Sequence, residues 1–544
     1  MHHVKRIRRI AAPVFATLAL LGLVACGSDD DDTSAADTAA TNVSSTAGSV
    51  TTAAPAADAI DVNGVLRPIA DLSATTNAMT WDPIAMKTPA TIMHTLVYDT
   101  LLRSQLDGSF EPGLAANATI VDPQTITIEL NPGIEFSDGT PLDAAAVKFS
   151  LERNAGSENG QAFSADLQQL ESVTVESPLK ATIHLKAPIA GSFYTWLGRG
   201  ETMIVSPTAV QSGVDINNKP VGAGPFLLES FTAESSVKLV KNPHYFQADQ
   251  IKLAGVEYVH SNNPTTTINA LRSGAADSAD LVPISALSGL AGSDLETRSE
   301  PSDSIMLWGH TCKSRPPLDD VRVRRALNLG VDRDAINQAM FGGRSEPQWG
   351  FWKQDSGLLP ESLVGSFARD VNRAKALLAE AGAENLELSA SVTPGDSQTV
   401  SEIIQQQWAE IGVKLTLVPT QNILQDALGP SPKTDVYFFP LVRSGLDKVT
   451  RTLVEQNVGN VCGYANPELN RFVAQLQALS PTSPEAKEAW AGLQQVAVDD
   501  AANIFGVFGM ASNAWSPRVG NVEFVPNFQG VPFLDIRDAY IVAD

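Results

Sequence analysis

Between residues 368 and 419 the chain alternates helix and strand periods, and no other stretch restricts the fold as much. Asn372 stands where an N-cap is expected before "RAKALLAEAG", and Gly382 is placed to end that helix in a left-handed turn. "LELSASV" reads as a strand. Val400, Ile403, Ile404, Trp408 and Ile411 then recur at the spacing of one helix face, and "VKLTLVP" closes the unit as another strand. A strand, helix, strand succession of this length points to parallel pairing. Elsewhere, residues 121 to 130 alternate as a half-buried strand, and 136 to 153 read as a turn, a short strand and a helix capped near Asp143. Val173 and Val175 lead through Ser177-Pro178 to Ala181, Ile183 and Leu185 as a hairpin. Pro484 to Asn503 reads as a helix and "ANIFGVFG" as a buried strand or strand pair. The expected fold class is α/β, with mixed sheets in more than one lobe.

The N-terminus is not part of that fold. "MHHVKRIRR" carries Lys5, Arg6, Arg8 and Arg9, and Ile10 to Ala25 is apolar apart from Thr17. That run is short of the about 20 residues a spanning helix needs, and reads instead as a signal peptide. Leu23, Val24 and Ala25 before Cys26 resemble a bacterial lipobox, so residues 1–26 are expected to be a lipoprotein signal peptide with Cys26 as the acylated residue. An ordinary secretory signal with an incidental cysteine is the alternative. Residues 27–59 are Asp, Ser, Thr, Ala and Gly with few large apolar side chains. They cannot bury enough surface to offset ordering entropy, and are expected to form a disordered tether. Each buried lipid methylene contributes about 0.8 kcal/mol, so two or three acyl chains hold a protein durably at a membrane surface. The expected location is therefore extracytoplasmic, anchored to the membrane by lipid at Cys26.

The chain has 61 acidic and 38 basic residues, a formal charge of −23, and loss of the four signal-peptide cations makes it more negative still. A nucleic-acid partner is thereby disfavoured, because phosphate neutralisation needs a basic face. The histidines at 2, 3, 94, 184, 244, 260 and 310 never fall at i, i+4, and no HExxH or CxxC occurs. No metal site and no cofactor is expected. There is no GxSxG elbow, Walker loop or GxGxxG after a strand, and "GAGPF" at 222–226 reads as a tight turn. The adjacent Asp319 and Asp320 are what any acidic chain contains, so an enzyme is not the expected class. Apart from Cys26 only Cys312 and Cys462 are present. An exported chain often joins such a pair, so a disulfide between them is expected; two buried free thiols are the rival, and spacing does not decide.

"PPLDDVRVRRALNLGVDRDAI", from Pro316 to Ile336, resembles the signature of family 5 extracellular solute-binding proteins, the dipeptide and oligopeptide receptors of ABC importers. "GAGPFLLESF" with "VKNPHYF", "FSDGTPLDAAAVKFSLER" at 136–153, "INALRSGAADSADLV" and "RAKALLAEAG" are similar to further motifs of that family, in order from about Trp81 to beyond Phe505. Ala145 and Ala146 stand where acids are usual. Within the signature, Val323, Ala326, Leu327 and Gly330 form a packing face, and Arg322, Arg324 and Arg325 are expected in structural ion pairs.

The resemblance implies a two-lobed periplasmic-binding-protein type II (class C) fold with an extra domain on lobe one. Carried over, lobe one is built from 60–102, 206–303 and 520–544, the extra domain from 103–205, and lobe two from 304–519. It implies capture of a peptide-like or other peptide-sized solute by lobe closure and delivery to ABC importer permease subunits, by a protein expected to be a monomer. A ligand sensor or chaperone-like domain of the same fold, signalling to a membrane partner, is the alternative. By motif, Lys87 and Thr88 fall at the lobe-one rim, Asp303 and Trp308 near the cleft, and Phe438 and Phe439 on the strand that supplies aromatics. The aspartate that holds a peptide ammonium in such receptors falls on Ser444 here. Asp447 is the nearest aspartate and Arg443 the neighbouring charge, so Lys87 and Arg443 are candidates to face an anionic group, with solvated surface positions as the alternative.

Overall fold

The computed structural model describes residues 60–72, 80–85, 92–157, 167–232, 234–428, 433–454, 460, 464–527 and 529–543. All of them belong to one compact unit, 54–544. Residues 1–59, which hold Cys26 and the expected signal peptide and tether, and Lys87, Thr88 and Cys462 lie outside the described residues. Among the described residues no helix is long and apolar enough to cross a membrane.

Two long strands organise the molecule. Glu296–Thr311 and Ile504–Trp515 run antiparallel through the centre of one extended sheet, from Glu296 opposite Trp515 to Gly309 opposite Ile504. On one side the sheet continues through Val436–Val442, Glu387–Val392 and Lys414–Pro419. On the other it continues through Ser278–Ala279, Pro68–Ala70, Gly255–His260, Ser236–Lys241 and Phe226–Thr232. Ile504–Trp515 is almost wholly buried, which suits its near-continuous apolar run.

The 368–419 unit folds in parallel as its pattern predicts, with Glu387 opposite Lys414 through Val392 opposite Pro419. The helix Asp396–Glu410 covers it, burying Val400, Ile404 and Trp408. Asp370, rather than Asn372, caps the preceding helix Val371–Glu380: its carboxylate accepts from the Arg373 N–H at 2.8 Å, while Asn372 lies exposed in the first turn. Gly382 does adopt a positive φ of 67°. Val323, Ala326 and Leu327 of the helix Val321–Leu329 join this core, and the Trp408 indole N–H donates to the Leu327 carbonyl at 3.0 Å. Arg324 pairs with Asp500 at 2.6 Å, Arg325 with Asp499 at 3.4 Å and Arg322 with Asp320 at 2.6 Å, so all three signature arginines are structural.

A separate antiparallel sheet of four strands, in the order Ala115–Asp122, Thr125–Leu130, Lys180–Leu185 and Leu170–Ser177, has its own core around Ile126, Val147, Leu151, Val173 and Phe193. The segment 121–130 is therefore a turn and a strand. Asp122 accepts from the Gln124 N–H at 2.8 Å and, with Pro123, reverses the chain where alternation alone suggests continuity. Asp143 caps the helix Ala144–Ala155 as expected. The glycines of "GAGPF" serve close approach: a Cβ on Gly222 would stand 2.4 Å from the Val97 carbonyl oxygen, and one on Gly224 2.5 Å from that of Leu96. Leu534, Ile536 and Ile541, near the C-terminus, pack into the core of Leu66, Trp81, Tyr98 and Phe226.

Trp408 tests the αβ unit. Trp408→Ala is expected to cost about 3–5 kcal/mol, from lost burial and the stranded Leu327 carbonyl. Urea unfolding should register this as a lower midpoint with little change in slope.

Candidate functional site

The pairing of the two long strands is interrupted where one half of the sheet passes into the other. Ser302 lies opposite Gly509 and Met306 opposite Phe508, so Asp303, Ser304 and Ile305 intervene on one strand with nothing to match them on the other. Such a bulge bends the strand and re-aims its side chains. Asp303 accepts from the Lys353 N–H at 2.5 Å, and Ser304 donates through Oγ to the Gly530 carbonyl at 3.0 Å. The Ser304 carbonyl accepts from the Arg443 N–H at 2.9 Å. The bulge thus joins the end of strand Val436–Val442 to the turn that closes the hairpin of Phe524–Pro526 and Pro532–Leu534. Gly530, at a φ of +79°, is required in that turn, since a Cβ there would stand 2.5 Å from Ser304 Oγ and 2.6 Å from Ser444 Cβ.

Around the bulge charges gather from distant parts of the chain. Arg199, 15% exposed and stacked 4.9 Å from the Trp196 ring centroid, comes from the end of the four-stranded sheet's domain. It donates to Asp447 Oδ2 at 3.3 Å and to Ser444 Oγ at 3.2 Å. Arg443 is partly buried, and its guanidinium donates to the Val442 carbonyl at 2.7 Å. Burial, with Arg451 and Arg199 nearby, pushes its pKa down; Asp447 acts in the opposite sense. Lys448 is fully buried on the short helix Asp447–Leu453. Its ammonium donates to the Phe351 carbonyl at 3.2 Å and sits 3.6 Å from the Trp352 ring centroid. Burial pushes its pKa down to about 8 against the opposing pull of Asp303. A second contact joins the halves nearby, where Gly191 lies so close to Leu479 that a Cβ would fall 1.9 Å from its carbonyl oxygen.

Of the residues singled out by sequence, Asp303, Arg443 and Asp447 come together at this seam, in company with Ser304, Ser444, Lys448 and Arg199. Phe438 does not join them. It is 1% exposed in the core beside Trp408, its carbonyl accepting from Ser397 Oγ at 2.6 Å. Trp308 and Phe439 are opposite each other on paired strands. Cys312 is buried and disulfide-bonded, its other half lying outside the described residues. Sequence reasoning missed Arg199 and Lys448. Arg199 is 248 residues from Asp447, and nothing local marks a lysine that will be buried. Among the described residues no group of His, Cys, Asp and Glu side chains could hold a metal ion.

Residues 109–450 match the model of the bacterial extracellular solute-binding proteins, family 5 Middle. The chain is 30% identical over 328 residues to the glutathione-binding protein GsiB of Salmonella paratyphi A, covering 58% of this chain and 62% of that one. It is 28% identical over 303 residues to its counterpart in Pectobacterium atrosepticum, covering 54% and 57%. The chain thus spans less than two thirds of the length of these relatives. Among solved structures, the putative peptide binding protein AppA from Clostridium difficile superposes with a TM-score of 0.73 at 18% identity, covering 88% of this chain and 100% of that one. The ABC transporter substrate binding protein CtaP from Listeria monocytogenes does so with a TM-score of 0.73 at 22% identity, covering 88% and 99%. These similarities establish the two-lobed type II architecture.

Lys448 supplies a test of the seam's electrostatics. Its folded pKa of about 8 lies below the usual lysine value of about 10.4, so the unfolded chain binds more protons between those pH values. Its contribution to stability therefore rises with pH from about 8 to about 10, and is at its most unfavourable below that window. Lys448→Met is expected to stabilise the protein by on the order of 1–3 kcal/mol at pH 7 and to flatten the rise. Urea midpoints of both proteins measured from pH 7 to pH 10 check the sign.

Proposed function

The chain belongs to the bacterial extracellular solute-binding proteins of family 5, and from that premise we propose that it is a lipid-anchored receptor. In this reading it captures a peptide-like or other peptide-sized solute between its lobes and delivers it to the permease of an ABC importer. The observation that carries the reading is the shared pair of long strands with charged groups from both sides converging at their bulge. Two bodies joined through a narrow, bulged connection can swing, and a solute touching both favours the state in which they meet. Closure then tells a permease that the receptor is loaded, and no bond in the solute has to change. The relatives named for glutathione and for peptides support a peptide-like solute. The basic n-region, the apolar run and Cys26 support export and lipid attachment. The disulfide of Cys312 is assigned to Cys462, since lipidation occupies Cys26.

Three measurements test this reading. A bound solute at about 100 times its Kd should stabilise the protein by about 2.7 kcal/mol, seen as a raised unfolding midpoint in a screen of glutathione and short peptides. Small-angle scattering should find a smaller radius of gyration in the solute-bound protein than in the free one, and an unchanged value with bound solute would reject closure. Cys26→Ser should leave an uncleaved precursor or release the protein, and a processed form still held at the membrane would reject the anchor.

A further inference from the structure

We infer that the domain of the four-stranded sheet is a catch that helps to hold the two lobes shut, and that Gly191 is the residue that lets it seat. The inference rests on the closure in the receptor reading and gives that domain a part in it. Gly191 is buried in the first turn of the short helix Ala190–Trp196, whose Ala190 and Phe193 belong to the domain's own core. Facing it are the carbonyls at the end of the helix Pro467–Ala478: a Cβ on Gly191 would stand 1.9 Å from the Leu479 carbonyl oxygen and 3.0 Å from that of Gln477. The two backbones therefore touch directly, and only glycine permits that approach. Just beyond the end of the same short helix, Arg199 donates to Asp447 Oδ2 at 3.3 Å and to Ser444 Oγ at 3.2 Å. One segment, 190–199, thus makes both contacts.

Neither contact is part of a shared core. The buried residues around Phe193 run from Leu101 to Ala223 and those beneath Leu479 from Met306 to Phe508, and among the described residues no hydrophobic side chain belongs to both clusters. Surfaces that meet through a glycine and a partly exposed ion pair separate readily, because such pairs contribute little to stability. The covalent route from one core to the other runs instead through the long sheet, which bends at Asp303, Ser304 and Ile305. A hinge on one side with a releasable contact on the other has the mechanics of a catch. It favours the closed state through its own contacts, whatever lies in the cleft, so it keeps a share of the solute-free molecules closed. Every solute that needs the closed form then binds more tightly by the share the catch supplies.

The test combines small-angle scattering of the solute-free chain with calorimetric titration by glutathione and the short peptides of the wider screen. Gly191→Ala suits it, because alanine favours a helix more than glycine does and its methyl group obstructs only the contact with Leu479. The solute-free Gly191→Ala chain is expected to have a larger radius of gyration than the unaltered chain. Arg199→Ala, which removes one contact without obstructing the other, should give a smaller increase, and serves alone if Gly191→Ala does not fold. Any solute that binds the unaltered chain should bind Gly191→Ala about tenfold more weakly. A radius unchanged in both variants overturns the inference, and so does a solute affinity unchanged in Gly191→Ala. The two readings fail separately: an enlarged radius in a chain that binds nothing keeps the catch and removes the receptor, whereas solute binding with radius and affinity unmoved keeps the receptor and removes the catch.

Discussion

Everything distinctive about this molecule depends on the antiparallel pairing of Glu296–Thr311 with Ile504–Trp515. A strand in a sheet's interior has two neighbours, and here the neighbours change along its length. The later half of Glu296–Thr311 pairs with Val436–Val442, whereas Ile504–Trp515 meets Ser278–Ala279 only through its last residues, Ala514 and Trp515. One ribbon therefore belongs to two halves, each with its own core. Hydrogen-bonded ladders resist stretching and shear but tolerate twist and bend, most of all at a bulge. The interruption at Asp303, Ser304 and Ile305 puts that compliance where the charged groups meet.

The electrostatics divide into two kinds of arginine. Arg324, 4% exposed, is enclosed by the carbonyls of Leu318, Asp319 and Asp500 and by the Asp500 carboxylate, so its donors are occupied by the fold itself. In the other half Arg103 donates through one nitrogen, Nη2, to Asp99, Tyr245 and Gln247. Such networks tie distant segments together, and removing one partner leaves a buried charge uncompensated. At the seam, by contrast, positive charge is in excess. Among the described residues the Lys448 ammonium donates to a carbonyl and faces an aromatic ring, and the Arg443 guanidinium donates to a carbonyl, with Asp303 and Asp447 acting on them only through space. An excess that the fold tolerates without neutralising it is poised to respond to something added.

Much of the architecture was legible from local pattern. The period-two and helical-face spacings of 387–419 gave the parallel unit because burial on one face imposes them directly on the residues. Asp143 and Gly382 were legible as cap and terminator because each acts on backbone within a few residues of itself. The reading failed where a short-range detail overrode periodicity. Asp122 and Pro123 turn the chain in the middle of an alternating run, and Asp370 captures the helix start two residues before Asn372.

By itself, then, the sequence determined the fold class and the family, since these follow from spacing, order and residue type. It placed Arg443 and Asp447 near one another because four positions of chain can separate them only slightly. Only the tertiary structure decided that Arg199 would reach Asp447, that Lys448 would lie out of water, and that Phe438 would join the core. The physical reason is that charge balance and burial at a site are sums over everything packed around it. Those neighbours come from segments hundreds of residues apart, and no local pattern records which of them will meet.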